Sequence, residues 1–170
     1  MIDTKEKYIE ITNNWINNKR KKGKVKIAKY YIYNNIKYSI DSKYVILDYT
    51  LKEKEVAIWL TNTFGGTLYI LPRINFPKNI KTPDYIFKNE KWDLKALGKE
   101  AISNTRAVDN IIKKSKNQTD NIILDITNTS IDKESIISQT KKVFTTSGRE
   151  WLQKIMIIDN YKLIKIYQRK

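Results

Sequence analysis

"TLKEKEVAIWLTNTFGGTLYILP", residues 50–72, limits the fold more than any other stretch of this chain. Thr50 and Glu53 stand at the spacing of a capping box, in which the hydroxyl and the carboxylate each satisfy an amide at the start of a helix. Val56, Ala57 and Leu60 follow at helical spacing. Gly65-Gly66 then stops the helix, because a positive φ costs glycine little. "TLYILP" is a short apolar run ended by proline and reads as a buried strand. A helix that feeds a buried strand through a glycine corner belongs to a layered structure of helix on sheet.

The remaining elements extend that pattern. Tyr8, Ile11, Trp15 and Ile16 predict an amphipathic first helix over residues 4–18. "KRKKGKVKIAK", 19–29, holds seven basic residues and no acid; it serves equally as a solvated connector or a phosphate-binding patch. Turn signals at "NN" (34–35) and "DSK" (41–43) divide residues 25–49 into a three-stranded meander near 25–33, 36–40 and 44–49. The tyrosines of that meander read as sheet surface or core rather than as base-stacking platforms. A helix over 104–117 turns Val108, Ile111, Ile112 and Ser115 inward, and "NIILDIT", 121–127, is a strand. Asp132 caps a helix with Ile136, Ile137, Val143 and Phe144 on its apolar side, and "KIMIID-NY-KLIKIYQ" closes the chain as a hairpin. The expectation is an α+β fold: a mixed or antiparallel central sheet flanked by helices. Residues 1–49, an N-terminal helix plus β-meander, belong to the same domain as the core at 50–170.

Composition restricts the chemistry. The chain has no histidine and no cysteine. Disulfides, thiolate metal sites and every histidine-dependent mechanism are therefore excluded. Acid–base work falls to carboxylates, lysine, tyrosine or a metal-bound water, and a hard ion such as magnesium is favoured over zinc. The net charge is +15, with 14 basic and 7 acidic residues up to position 75 and 19 against 11 beyond it. An excess spread so evenly predicts a polyanionic partner such as RNA, although an AT-rich genome also inflates lysine. The N-terminus carries acids and lacks an apolar signal region, and no run is long enough to span a bilayer. No membrane partner is expected.

One stretch concentrates reactive groups. In "TPDYIFKNEKWDLK", 82–95, strand alternation puts Asp93 and Lys95 on one face and Trp92 and Leu94 on the other. A hairpin closed at "KNEK", with a two-residue turn at Asn89-Glu90, would set Phe87 opposite Trp92 and Asp84 opposite Lys95. Asp84, Asp93 and Lys95 then share one face. A plain cross-strand ion pair on a wet surface accounts for them equally well. Arg106, Asn110, Lys114 and Gln118, spaced by four, line the polar edge of the following helix. Thr127, and Arg149 in "TTSGRE", are further candidates for contact with RNA, as is the loop "RINFPKN".

These motifs together are familiar. "LKEKEVAIWLTNTFGGTLYILPRIN", "KTPDYIFKNEKWDLK" and "NIIKKSKNQTDNIILDIT" resemble the C-terminal tRNase toxin domain of contact-dependent growth-inhibition CdiA proteins. Related domains occur on phages and mobile elements of low-GC Gram-positive bacteria. The group is the barnase, EndoU, colicin and RelE-like (BECR) nucleases, and the likeness covers residues 50–127. It implies a BECR-like fold and a ribonuclease that cleaves tRNA in the bacterial cytoplasm and is neutralised by an immunity protein, expected to be acidic. The group's acidic and lysine positions map onto Asp84, Asp93 and Lys95 and its helix motif onto Asn110, Lys114 and Gln118; the catalytic set expected is Asp84, Asp93, Lys95, Lys114 and Gln118, and Arg106, Asn110, Thr127 and Arg149 are the candidates for binding RNA. No long delivery region accompanies these residues, so the expectation is an excised toxin domain or a stand-alone protein.

Three chemistries stay open. In metal-independent transesterification, Asp93 is the base for a 2′-hydroxyl, Lys95 and Lys114 stabilise the developing charge, Asn110 and Gln118 position phosphate or ribose, and Asp84 orients Lys95; no cofactor is needed. This reading is preferred because the likeness runs beyond the hairpin. "PD…DLK" is also the pattern of a PD-(D/E)xK nuclease, in which Asp84 and Asp93 hold magnesium and Lys95 steers a water. The third reading is a basic nucleic-acid-binding module without catalysis.

Overall fold

The computed structural model describes residues 6–100 and 102–170, which divide into two compact units. One comprises residues 15–93 with 117–119; the other comprises 94–116 and 120–170 with the N-terminal segment up to Asn14. Each is built on a mixed sheet, as expected for an α+β chain.

In the unit of residues 15–93, helix α2 (Leu51–Phe64) opens on the capping box that the sequence announces. The Thr50 hydroxyl accepts from the Glu53 amide at 3.1 Å, and the Glu53 carboxylate accepts from the Thr50 amide at 3.3 Å. The helix buries Val56, Ala57, Leu60, Thr61 and Phe64 and ends at Gly65 and Gly66, with φ of 73° and 82°. Strand β6 (Thr67–Ile70) follows, with Leu68 and Ile70 inward and Thr67 and Tyr69 outward. It runs parallel to β2 (Lys24–Ile27) and antiparallel to β8 (Tyr85–Phe87). Strand β8 turns through Lys88 and Asn89 into β9 (Glu90–Ala96). The Trp15 ring meets Phe64 at 5.1 Å and Trp92 at 5.7 Å, both edge-on, as aromatic quadrupoles prefer. A smaller apolar cluster of Tyr31, Val45, Leu71 and Ile74 lies beneath the hairpin β3–β4 (Tyr30–Tyr33, Ile36–Ser39) and the pair β5–β7 (Val45–Ile46, Arg73–Ile74).

In the other unit, β10 (Asn121–Asp125) is buried along its whole length and pairs in parallel with β11 (Lys154–Asp159). Helix α4 (Lys133–Thr145), capped by Asp132, connects them. Strand β12 (Lys162–Arg169) returns antiparallel, and β1 (Tyr8–Glu10) adds to its free edge. Helix α3 (Ala107–Ile112) and a 3₁₀ turn (Lys113–Ser115) turn Val108, Ile112 and Ser115 inward onto this core, as predicted.

Four expectations need correction. The first helix is short: α1 covers Thr12–Asn17, whereas Tyr8–Glu10 is a strand. Thr4 and Lys5 lie outside the described residues. Tyr8 satisfies helical spacing and sheet pairing alike, and its packing on Phe144 and Tyr167 (5.8 and 5.7 Å) decides for the sheet. The meander is not formed, since β2 pairs with β6, β3 with β4 and β5 with β7. The helix predicted over 104–117 ends at Ser115, so Gln118 does not continue the row of Arg106, Asn110 and Lys114. The fourth correction is the register of β8–β9, on which the geometry of the candidate site depends.

Candidate functional site

The β8–β9 turn is Lys88-Asn89, with φ of 52° and 61°, rather than Asn89-Glu90. Two consecutive left-handed residues suit the right-handed twist of a tight hairpin, and asparagine tolerates that region well. Tyr85 therefore faces Trp92, Ile86 faces Lys91 and Phe87 faces Glu90. Compared with the expected pairing, β9 is displaced by two residues. A displacement of two leaves every side chain on its own face but changes its neighbour. The paired residues end at Tyr85 and Trp92; continued one step further, this register aligns Asp84 with Asp93 instead of Lys95. Asp93 is 1% exposed, and Lys95, two residues further along β9, lies on the same side of that strand, half-buried.

The sequence reading missed a third acid, Glu53. Its carboxyl is pushed up by burial and by the charges of Asp93 and Asp48, against the pull of the Thr50 amide and Arg73. Tyr85 registers the same surroundings. Its hydroxyl donates to the Glu53 backbone carbonyl, and burial, followed by Asp84, Glu53 and Asp93, raises its pKa. Glu53 is thus the N3 residue of a capping box and an electrostatic neighbour of the hairpin acid. The capping motif explained it so completely that nothing in the sequence marked a second role.

Gln118 and Thr119 grip the hairpin. The Gln118 amide donates to the Thr82 carbonyl at 2.8 Å, and the Thr119 hydroxyl donates to the Lys91 carbonyl at 2.7 Å. Gln118 thereby holds the segment that leads into Asp84.

The other candidates belong to the unit of residues 94–170. Lys114 is exposed on the 3₁₀ turn, and Asn110 is half-buried on α3. Arg106, just ahead of α3, gives one nitrogen to Asp109 at 3.0 Å. Arg149 closes on the same carboxylate with two bonds, 2.7 and 3.2 Å. Burial alone would push the Asp109 carboxyl up; the bonds and charges of Arg149 and Arg106 outweigh it and hold it below its usual range. Thr127 is occupied locally: its amide and hydroxyl donate to Asp125, and its oxygen accepts from the Asn160 amide at 2.8 Å.

Among the described residues no three His, Cys, Asp or Glu side chains group to hold a metal ion. Asp84 and Asp93, carried by one hairpin, still fit magnesium, which is commonly bound by one or two carboxylates together with substrate oxygens.

Comparison with known proteins adds an independent line. No curated protein sequence matches the chain significantly. A solved structure, described as the CdiA-CT/CdiI toxin and immunity complex from Burkholderia pseudomallei, has a similar fold: TM-score 0.50 at 24% identity, over 68% of this chain and 81% of that one. The family model for the contact-dependent growth inhibition CdiA C-terminal domain matches residues 81–164, from just before β8 into β12. Over those residues, just under half of the chain, the sequence is similar to the contact-dependent growth inhibition CdiA C-terminal domain, and the likeness of fold to a CdiA-CT toxin agrees with it.

Proposed function

We propose that the chain is a nuclease-type toxin domain that cuts RNA, with tRNA as substrate, using Asp84, Asp93 and Lys95 of the β8–β9 hairpin. The observation that carries this reading is the hairpin register. In the pairing expected from sequence, Asp84 orients Lys95 and leaves Asp93 as a lone base. The observed register, continued one step past its last pair, aligns the two carboxylates with one another. Two carboxylates on one hairpin fit the magnesium reading, which we weigh beside metal-independent transesterification with Asp93 as base.

Asp84 and Asp93 are the residues that would hold the ion. Magnesium, when bound, polarises the scissile phosphate and acidifies a water. Lys95, two residues along β9 from Asp93 and so on the same side of that strand, is our candidate for neutralising charge that develops on the phosphate oxygens. Gln118 and Thr119 keep the hairpin in register through backbone carbonyls, so they are positioning residues. Glu53 adds negative charge near Asp93 and strengthens the preference of the site for a cation.

The test is digestion of total bacterial tRNA by the purified chain with magnesium or EDTA, beside Asp93→Asn and Lys95→Ala. Discrete fragments that require magnesium and disappear in both variants support the reading. Cleavage that persists in EDTA returns the chemistry to transesterification with Asp93 as base. Intact tRNA and DNA under every condition reject the nuclease reading in favour of a binding module.

An acidic immunity protein is the partner we propose for the same chain. The Burkholderia structure is a toxin and immunity complex, and a net charge of +15 favours an acidic surface in any fast-binding partner.

A further inference from the structure

Outside the hairpin acids, the unit of residues 15–93 carries a cleft of about 400 Å³ whose lining includes Arg20, Gly66, Thr67, Tyr69, Lys88 and Asn89. Tyr69 is 39% exposed and lies flanked in cross-strand register by Lys26 on β2 and Ile86 on β8. The ring has no aromatic partner among the described residues, and an unpartnered aromatic face beside cations is the arrangement on which nucleobases stack.

The two cations are placed by backbone rather than left to solvent. The Arg20 amide donates to the Phe64 carbonyl at 3.1 Å, and the Lys24 amide donates to the Gly66 carbonyl at 3.1 Å. The basic run is seated so closely on the glycine pair that a Cβ on Gly65 would come 2.3 Å from the Lys21 carbonyl oxygen and 2.7 Å from that of Arg20. Lys88 is set by the turn, its ammonium 5.5 Å from the centre of the Trp15 ring and 5.6 Å from that of Phe87. Burial and the charge of Arg20 lower the Lys88 pKa, so these like charges sense each other. Neither meets a carboxylate among the described residues. Two cations held together with no acid between them are relieved by an anion.

We propose that this cleft is a subsite for single-stranded RNA, with one base stacked on Tyr69 and the adjoining phosphates held by Arg20 and Lys88. The proposal rests on the nuclease reading, and it adds where a second part of the substrate lies. Ile86 and Lys91, in register with Tyr69, form the row next to Asp84 and Asp93, about 7 Å along the strands on the same face. The subsite thus serves nucleotides beside the scissile one.

The experiment is fluorescence anisotropy of the full chain with a labelled 2′-O-methyl oligoribonucleotide of about seven residues, a length within known single-strand site sizes. In EDTA neither chemistry can cut this probe. Tyr69→Leu is expected to weaken binding about tenfold or more, and Tyr69→Phe, which keeps the ring, to stay within about twofold. Arg20→Ala with Lys88→Ala is expected to reduce the slope of log affinity against log salt by about 1.4, two contacts at the single-strand value. Circular dichroism confirms that each variant folds. Unchanged affinity in Tyr69→Leu, or an unchanged salt slope in the double variant, overturns the subsite. Intact tRNA and DNA under every condition, with the Tyr69 effect intact, overturns the nuclease reading and leaves the subsite standing.

Discussion

Single side chains in this protein do more than the local motif that names them. Glu53 satisfies an amide at the start of α2 and also feels the charge of Asp93, which leaves its carboxyl raised in the folded state. An acid whose pKa is raised on folding favours the fold at low pH and loses that contribution as pH rises through the folded value. Glu53→Gln, whose amide oxygen can still accept from Thr50, is expected to flatten the stability profile above pH ~4.5, the ordinary glutamate range. Urea unfolding at several pH values measures this, and a profile identical to the parent's rejects the assignment. Asp109 is the opposite case. Its lowered carboxyl stabilises the fold above the ordinary aspartate range and ceases to do so as pH falls through the lowered value. Arg149→Ala leaves a nearly buried carboxylate short of its bidentate partner and should cost about 3 kcal/mol. Arg149→Lys should recover only part of this, because one ammonium cannot reproduce the fork. Unfolding that is unchanged in Arg149→Ala, with RNA binding lost, would assign Arg149 to the substrate instead.

Elements were legible in the sequence to the degree that their signals were local. Both long helices announce themselves through caps: Thr50 with Glu53, and Asp132, whose carboxylate accepts from Ser135 at 2.9 Å. The closing hairpin is equally clear, with its turn at Asn160-Tyr161 as read. Strand pairing was not, since β2 finds its partner across some forty residues and nothing in "KVKI" specifies that choice. In the hairpin that carries Asp84 and Asp93, alternation fixed the faces correctly while the turn set the register, and two adjacent turns compete within "KNEK". The basic run 19–29 reads equally as a connector or a phosphate-binding patch, but the reason for the position of its first half lies in the glycine pair, which from sequence only ends a helix. Gly65→Ala puts a Cβ at a positive φ and into the Arg20 and Lys21 carbonyls. It is expected to destabilise the chain by about 2 kcal/mol or more and to weaken RNA binding with it. A thermal melt and the anisotropy assay measure both; a variant as stable as the parent removes the argument that these glycines seat Arg20.

At the scale of the molecule, charge and connectivity set the behaviour. A surplus of fifteen positive charges predicts RNA association that falls steeply with salt, and complex formation with an acidic partner should slow in the same way. The connectivity is less expected. The chain passes from one compact unit to the other at residues 14–15, 93–94, 116–117 and 119–120. The three residues 117–119 carry the two hydrogen bonds that grip the β8–β9 hairpin. At the other extreme, Tyr8 pairs with Arg169, so the opening strand waits for almost the last residue. During synthesis the hairpin with Asp84 and Asp93 remains ungripped until Thr119 has left the ribosome, and the edge of β12 remains open until Arg169 has. The grip on the hairpin and closure of that sheet edge are thus late events in the order in which the chain is made.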